Sequence, residues 1–162
     1  MSGVLQIRDH LLDELELSVR TSEALIRRIR PEEWEYTPGE NMRTLLQLVH
    51  HIAALPASDL AILQEKSQPE VELVENGAQD ITDPEQLAKR LRTHFDTLKA
   101  YMVSLSEDEL LNKETKAFYL EHSMPQIKWL IEIVTHLFHH RSQLYNYLKQ
   151  NGHELNFFML YA

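Results

Sequence analysis

The sequence predicts an all-α protein built as a four-helix bundle. Four long segments place apolar residues at the three- and four-residue spacing of an amphipathic helix. Only four glycines occur in 162 residues, too few for the many tight turns of a β protein. At this length we expect a single domain over residues 1–162, with one sizeable hydrophobic core.

The first two helices are defined by their apolar spacing and by proline. The first is expected over about residues 7–30, where Pro31 ends it. The second is expected over about residues 42–65 and contains Pro56. Proline removes one backbone hydrogen bond of the helix, so we expect a kink at this position.

The third and fourth helices carry terminal signals. The third is expected to begin with Asp83 as N-cap and Pro84 at the first helical position. A capping-box pattern, Ser-Glu-Asp-Glu at residues 106–109, indicates a short extra turn. The fourth helix is expected over about residues 125–150 and is followed by Asn-Gly, a typical C-terminal signal.

The connections and the tail predict topology and association. Residues 66–82 are polar, contain Pro69 and Gly77, and are expected to form a linker. A connection this long can cross the bundle, so the second and third helices are expected to run parallel. The apolar tail, residues 155–161, is expected to pack against the domain or a second subunit. Together with a wide apolar arc on the fourth helix, it predicts a homodimer.

Charge and composition exclude several classes of function. The net charge is −9 and no basic cluster offsets it, which argues against nucleic acid and anionic membranes as partners. There is no cysteine, so any metal must be held by His, Asp or Glu. The N-terminus shows no signal-peptide pattern and no run of 18 apolar residues occurs, so a cytoplasmic location is expected.

Two of the nine histidines have the spacing of metal ligands. His136 and His140 are four residues apart, so they share one face of the fourth helix. That spacing suits two ligands of one transition metal, although hydrogen bonds to other side chains would also satisfy the rings. His139 lies on the polar stripe and is expected to be exposed. The pair is expected at the border of an apolar stripe that comprises Ile127, Ile131, Val134, Phe138, Tyr145 and Leu148.

A third ligand is expected from the second helix, which contains His50-His51. His51 lies at the edge of that helix's apolar stripe and is the better candidate, but spacing alone leaves His50 open. Three neutral imidazoles leave a divalent ion, zinc or nickel, with open positions for water, a substrate oxygen or a thiolate. Candidate residues around the metal or the substrate are Gln47, Arg141 and Gln143.

These residues resemble those of a known family. His51-Ile-Ala in the second helix, followed by His136-x-x-x-His140-Arg-x-Gln143 in the fourth, is similar to the DinB/YfiT-like superfamily. The segment from Tyr36 to Arg43, Tyr-Thr-Pro-Gly-Glu-Asn-Met-Arg, resembles the family's lead into its second helix. The resemblance covers nearly the whole chain. Two departures are Ser142, where the family often has glycine, and Pro56.

The resemblance implies a fold and an activity. It implies an up-down-down-up four-helix bundle, frequently a homodimer, with one zinc or nickel ion on His51, His136 and His140. It further implies a thiol S-transferase that uses a metal-activated low-molecular-weight thiol, such as bacillithiol or mycothiol, on a small-molecule substrate. A non-catalytic bundle, whose metal or histidine hydrogen bonds serve folding or partner binding, is one alternative. A metal-dependent hydrolase is the other.

Overall fold

The computed structural model describes residues 2–161 and confirms the all-α prediction. A 3-10 turn, Pro31–Glu33, follows the first helix, and a short antiparallel hairpin pairs β1 (Glu114–Thr115) with β2 (Met124–Pro125). The helices, in chain order, are α1 (Gly3–Ile26), α2 (Leu45–Leu63), α3 (Gln68–Asn76), α4 (Pro84–Ser104), α5 (Glu107–Asn112), α6 (Gln126–Gln150) and α7 (Phe158–Tyr161).

Four long helices form the bundle, in which α1 and α2 each pack against both α4 and α6. Ion pairs show that α1 and α4 run antiparallel. Arg27 pairs with Glu85 at 2.6 Å near one end, and Glu16 pairs with Lys99 at 2.7 Å further along. From Glu85 to Lys99 the residue number rises along α4, whereas their partners in and just after α1 fall from Arg27 to Glu16.

Further contacts give the directions of the other helices. Arg141 Nη1 donates to Thr21 Oγ1 at 2.9 Å, and Arg30 Nη2 donates to the Asn151 carbonyl at 3.3 Å, so α1 and α6 run parallel. His51 of α2 lies beside His140 of α6, and Asp59, later in α2, lies beside His136, earlier in α6. The two helices therefore run antiparallel. The topology is therefore up-down-down-up, as predicted.

Helix starts follow the capping signals. Asp83 accepts from the Glu85 backbone N–H at 3.0 Å, which confirms it as the N-cap of α4. Ser106 caps α5 through the predicted capping box. Three predicted bounds were inaccurate. α1 already begins at Gly3, after the N-cap Ser2, and it ends at Ile26, before Pro31 could end it. α2 begins at Leu45, because Thr44 is its N-cap and forms a capping box with Gln47.

The predicted linker over residues 66–82 is wrong in part, because it contains α3. Ser67 and Glu70 form a capping box in which both the Ser67 backbone N–H and its hydroxyl donate to Glu70 Oε2, at 2.9 and 2.7 Å. Pro69 fits because it lies in the first turn, where a helix needs no backbone donor. Val71 is buried, and α3 packs against α2.

α2 is the core helix of the bundle. Leu45–Leu63 is long and apolar enough to span a membrane, with a mean hydropathy of 1.3. However, 67% of its most apolar stretch of 18 residues is buried inside the protein. Burial against α3, α4 and α6 accounts for its apolar composition. The helix continues through Pro56, which is buried within it. The cytoplasmic location stays a prediction.

The buried face of α6 differs from the expected stripe. It is centred on Leu130, Leu137 and Leu144, which are fully buried because α6 packs on α1 and on α2 at once. Ile131, placed on the apolar stripe by the sequence, is 46% exposed instead. His140 is buried with the leucines, so it lies in the core and not at its border.

The tail folds back on its own bundle. α7 packs against α1, and the Leu160 carbonyl accepts from Arg141 Nη1 at 2.9 Å. Of the two expected alternatives, the structure has α7 against the domain, but the burial of the tail is only partial, since Phe157, Phe158 and Tyr161 are 60–62% exposed. The homodimer stays a prediction, and a molecular-mass measurement at micromolar concentration would contradict it by detecting monomer alone.

Candidate metal centre

Three histidine rings from two helices converge where α2 packs against α6. His51 of α2 and His136 and His140 of α6 each offer a ring nitrogen, and these nitrogens all lie within 4.8 Å of one another. The ring centroids are 4.4 to 5.5 Å apart. The residues that the sequence singled out therefore form one cluster, which could hold a metal ion.

The structure decides between the two neighbouring histidines of α2. The Nε2 atom of His50 lies 2.7 Å from the Ile81 carbonyl oxygen, in the segment before α4. One residue further on, a rotation of about 100° turns His51 toward α6. His139 is exposed, as expected. Its ring packs edge-on against His140, with centroids 4.8 Å apart, but it contributes none of the three converging nitrogens.

Hydrogen bonds set the tautomers of two rings. His51 Nδ1 lies 2.7 Å from Glu75 Oε1, and His140 Nδ1 lies 2.8 Å from Gln143 Oε1. Each oxygen is an acceptor, so each Nδ1 carries the proton and each Nε2 presents a lone pair. The two Nε2 atoms face each other at 3.0 Å. Lone pairs this close repel, and a shared cation removes the repulsion, so this donor set fits a divalent ion.

Burial keeps the rings of His51 and His140 neutral. It lowers the pKa of His140 to about 3 and also lowers the pKa of His51. Burial removes the water that would solvate the charged imidazolium. This effect outweighs the hydrogen bonds that the Nδ1–H groups donate to Gln143 and Glu75, which favour the charged form. A metal ligand must be the neutral imidazole, so both rings are in the form that coordination requires near neutral pH.

Asp59 places a carboxylate beside the third ring. Its Oδ2 atom lies 3.6 Å from His136 Nδ1 and, among residues 2–161, has no hydrogen-bond partner although it is buried. A buried carboxylate without a partner is unfavourable, and a nearby cation offsets that cost. The sequence offered one signal that was missed, a charged residue inside the apolar run of the second helix.

Two cavities meet at the cluster and share His51 and Glu75. The larger, which we call the polar cavity, has a volume of about 540 Å³, and Arg43, Gln47 and Asn76 contribute to its lining. The smaller, the apolar cavity, has a volume of about 230 Å³ and is lined partly by Leu55, Ile62, Val71, Phe118 and Tyr119. A molecule can therefore approach the cluster along a polar side or along an apolar side.

Comparison with known proteins assigns the family. The DinB family model matches residues 1–160. The chain belongs to the DinB family. A comparison with curated proteins gives no significant match.

Solved structures of other DinB-like proteins share the fold. A DinB-family protein from Exiguobacterium sibiricum is 27% identical, with a TM-score of 0.77 over 96% of this chain and 97% of that one. The DinB-like YjoA of Bacillus subtilis is 19% identical, with a TM-score of 0.66 over 90% and 94%. YfiT of Bacillus subtilis is 15% identical, with a TM-score of 0.73 over 95% and 91%. YfiT is described as a probable metal-dependent hydrolase with an unusual four-helix bundle topology.

The other candidate residues of this DinB protein have different positions. Gln143 contacts the cluster through His140, as expected. Gln47 lines the polar cavity. Arg141 was expected near the metal or substrate, and this is wrong. Its buried guanidinium points between α1 and α7, where it bonds Thr21 and stacks on Phe138 at 4.3 Å.

Glu75 of this DinB protein is expected to tune metal affinity. Replacing Glu75 with alanine removes the acceptor that holds His51 Nδ1–H, so zinc affinity should fall about 10- to 100-fold. A competition titration against a zinc-binding dye measures this. Glu75→Gln keeps an acceptor oxygen, so its zinc affinity should fall less than that of Glu75→Ala. Glu72→Ala is the matched control, since Glu72 belongs to the same helix and bonds only Gln68 in the structure. Equal affinities of Glu75→Ala and Glu72→Ala would contradict the assignment.

Proposed function

We propose that this DinB-family protein binds a divalent metal ion, zinc or nickel, through His51, His136 and His140, and transfers a low-molecular-weight thiol such as bacillithiol to an electrophile. The observation that carries the proposal is the convergence of three imidazoles, two of which present Nε2 lone pairs at 3.0 Å. A divalent ion bound there would lower the pKa of a thiol that joins it and so supply a thiolate near neutral pH.

The two cavities support a reaction of two substrates. A thiol with a polar body suits the polar cavity, which contains amide and guanidinium side chains. An apolar electrophile suits the apolar cavity, where Leu55, Phe118 and Tyr119 contribute to the lining. Because His51 borders both cavities, the sulfur and the carbon that it attacks can meet at the cluster.

The residues of the chain prepare the reaction. Glu75 and Gln143 hold the tautomers of His51 and His140, so the coordinating nitrogens need no rearrangement. Asp59 Oδ2, which has no hydrogen bond and borders the apolar cavity, accepts the proton that the thiol loses. The sulfur then forms a bond to the electrophilic carbon, and the leaving group departs with its bonding electron pair.

Hydrolysis is a second candidate, and Asp59 favours it too. The same carboxylate could accept a proton from water in place of a thiol. The description of YfiT as a probable metal-dependent hydrolase supports this alternative. The two candidates differ in one requirement, because hydrolysis of an ester or amide needs no added thiol.

The test combines metal analysis with a conjugation assay. The purified protein should contain divalent metal and should couple bacillithiol to an aryl halide, and a chelator should abolish the coupling. His136→Ala should lose metal and turnover. His139→Ala is the matched control, since His139 is exposed in the same helical turn and packs on His140 but contributes no converging nitrogen.

Each other outcome has a definite meaning. Unchanged metal content in His136→Ala would refute the metal site. Turnover of ester or amide probes without thiol would replace the transferase by a hydrolase. Bound metal without turnover on several thiols and on esters would leave a non-catalytic metal-binding bundle.

A further inference from the structure

Arg43 is a free cation at the edge of the candidate metal centre. It lies just before α2 and borders both the polar cavity and a neighbouring cavity of about 300 Å³. Its side chain is exposed. Four arginines, Arg8, Arg27, Arg30 and Arg92, form ion pairs with carboxylates, whereas within residues 2–161 Arg43 has none and is distinguished from the other unpaired arginines by its place at the polar cavity. On a chain of net charge −9, an arginine without a carboxylate partner beside a cavity is available for a ligand.

The backbone of Arg43 is held in place while its side chain stays free. The Tyr147 hydroxyl donates to the Arg43 carbonyl at 3.1 Å. Tyr147 is only 4% exposed and packs edge-on against the ring of Tyr36, with centroids 5.9 Å apart. A buried, packed tyrosine therefore fixes the point from which the guanidinium projects, which reduces the entropy lost when a ligand binds.

The amide side chains of the polar cavity also present donors. Gln47 Oε1 already accepts from the Thr44 backbone N–H at 2.9 Å, and Asn76 Oδ1 accepts from Gln79 Nε2 at 2.8 Å. With their oxygens occupied, the N–H₂ groups of Gln47 and Asn76 remain for a ligand. The carboxylate that borders this cavity, Glu75, already uses Oε1 in its bond to His51 Nδ1.

We propose that the polar cavity is an anion site in which Arg43 binds a carboxylate, assisted by Gln47 and Asn76. The planar guanidinium can donate two parallel hydrogen bonds to the two oxygens of a carboxylate. The amide N–H groups of Gln47 and Asn76 can donate further hydrogen bonds to the same oxygens. This inference rests on the proposed function in one respect, since it names the substrate class: the thiol brought to the three-histidine cluster is a small, carboxylate-bearing molecule.

Succinate binding to the metal-free protein tests the anion site. Isothermal titration calorimetry in the presence of a chelator should detect saturable binding of succinate and none of the neutral succinamide. Arg43→Gln should weaken succinate binding by about tenfold to a hundredfold, as expected for a charge-assisted hydrogen bond. The succinate affinity of Arg43→Lys should lie between those of the unsubstituted protein and Arg43→Gln, since lysine keeps the charge but lacks the paired N–H donors of a guanidinium.

Arg28→Gln is the matched control, because it makes the same charge change at an exposed arginine outside the cavity. Equal weakening by Arg43→Gln and Arg28→Gln would reduce the effect to general surface charge and overturn the proposal. Absence of saturable succinate binding would also overturn it. Tighter binding of inorganic phosphate than of succinate would overturn the carboxylate assignment. Thermal melting of each variant verifies that it is folded.

The proposed function and the anion site can fail separately. Succinate binding in chelator does not involve the histidine cluster, so it should survive in His136→Ala. Loss of metal binding in that variant with intact succinate binding would support both proposals. A protein that binds metal and conjugates thiols, but whose succinate affinity is unchanged in Arg43→Gln, would retain the function and exclude the anion site.

Discussion

Zinc is expected to raise the melting temperature of the metal-free protein strongly. At free zinc about 1,000 times the dissociation constant, binding to the native state alone adds about 4 kcal/mol, which is about 8–16 °C for a domain of this size. The physical reason is the pair of Nε2 lone pairs that face each other at 3.0 Å. Thermal melting with zinc, and with excess chelator, measures the shift.

The histidine variants make this prediction specific. In His140→Ala the zinc-dependent shift should disappear, because the most buried of the three rings is lost. In His139→Ala it should persist in full. The comparison uses the shift within each variant, so any change in baseline stability cancels. A shift that survived in His140→Ala would contradict the assignment of the three-histidine site.

Phe95→Ala is expected to cause the largest loss of intrinsic stability. Phe95 lies in α4, is fully buried, and has the cationic groups of Arg92 and Lys99 5.5 and 5.6 Å from its ring centroid. Truncation of a buried phenylalanine leaves a cavity and costs about 3–5 kcal/mol. Urea denaturation in the presence of chelator measures the free energy of unfolding without the contribution of metal.

Phe118→Ala provides the matched control for the core substitution. Phe118 is 46% exposed in the loop between β1 and β2, so its truncation should change the free energy of unfolding by less than about 1 kcal/mol. Because Phe118 lines the apolar cavity, the variant should bind an apolar electrophile less well. Equal losses of stability in Phe95→Ala and Phe118→Ala would contradict the packing of the core.

The long helices were predictable because their apolar residues recur at helical spacing. α3 was not predicted, since it buries very few apolar residues. Within α3 only Val71 is buried and Val74 is half-buried, so its apolar stripe is only two residues long. The sequence signal for α3 was the capping box of Ser67 and Glu70, which does not depend on the spacing of apolar residues. Pro69 and Gly77 reinforced the prediction of a linker, although proline is compatible with a first helical turn.

The candidate site was predictable to the extent that it depends on helix geometry. Four-residue spacing places His136 and His140 on one face wherever the helix lies. Whether His50 or His51 completes the cluster depends on the rotation of α2 about its axis, which packing determines. Glu75 reaches His51 from another helix, and no local pattern indicates such a contact. Arg141 was misplaced because its partners, Thr21 and Leu160, belong to other helices that only the tertiary fold brings beside α6.

The up-down-down-up topology also determines when the histidine cluster can form during folding. His51 and His140 are 89 residues apart, and α3, α4 and α5 lie between α2 and α6 in the chain. Closure of so long a loop is entropically unfavourable, so the cluster should assemble late, after local helix pairs have formed. A metal bound there would act on the completed fold. It should therefore slow unfolding and leave the folding rate nearly unchanged.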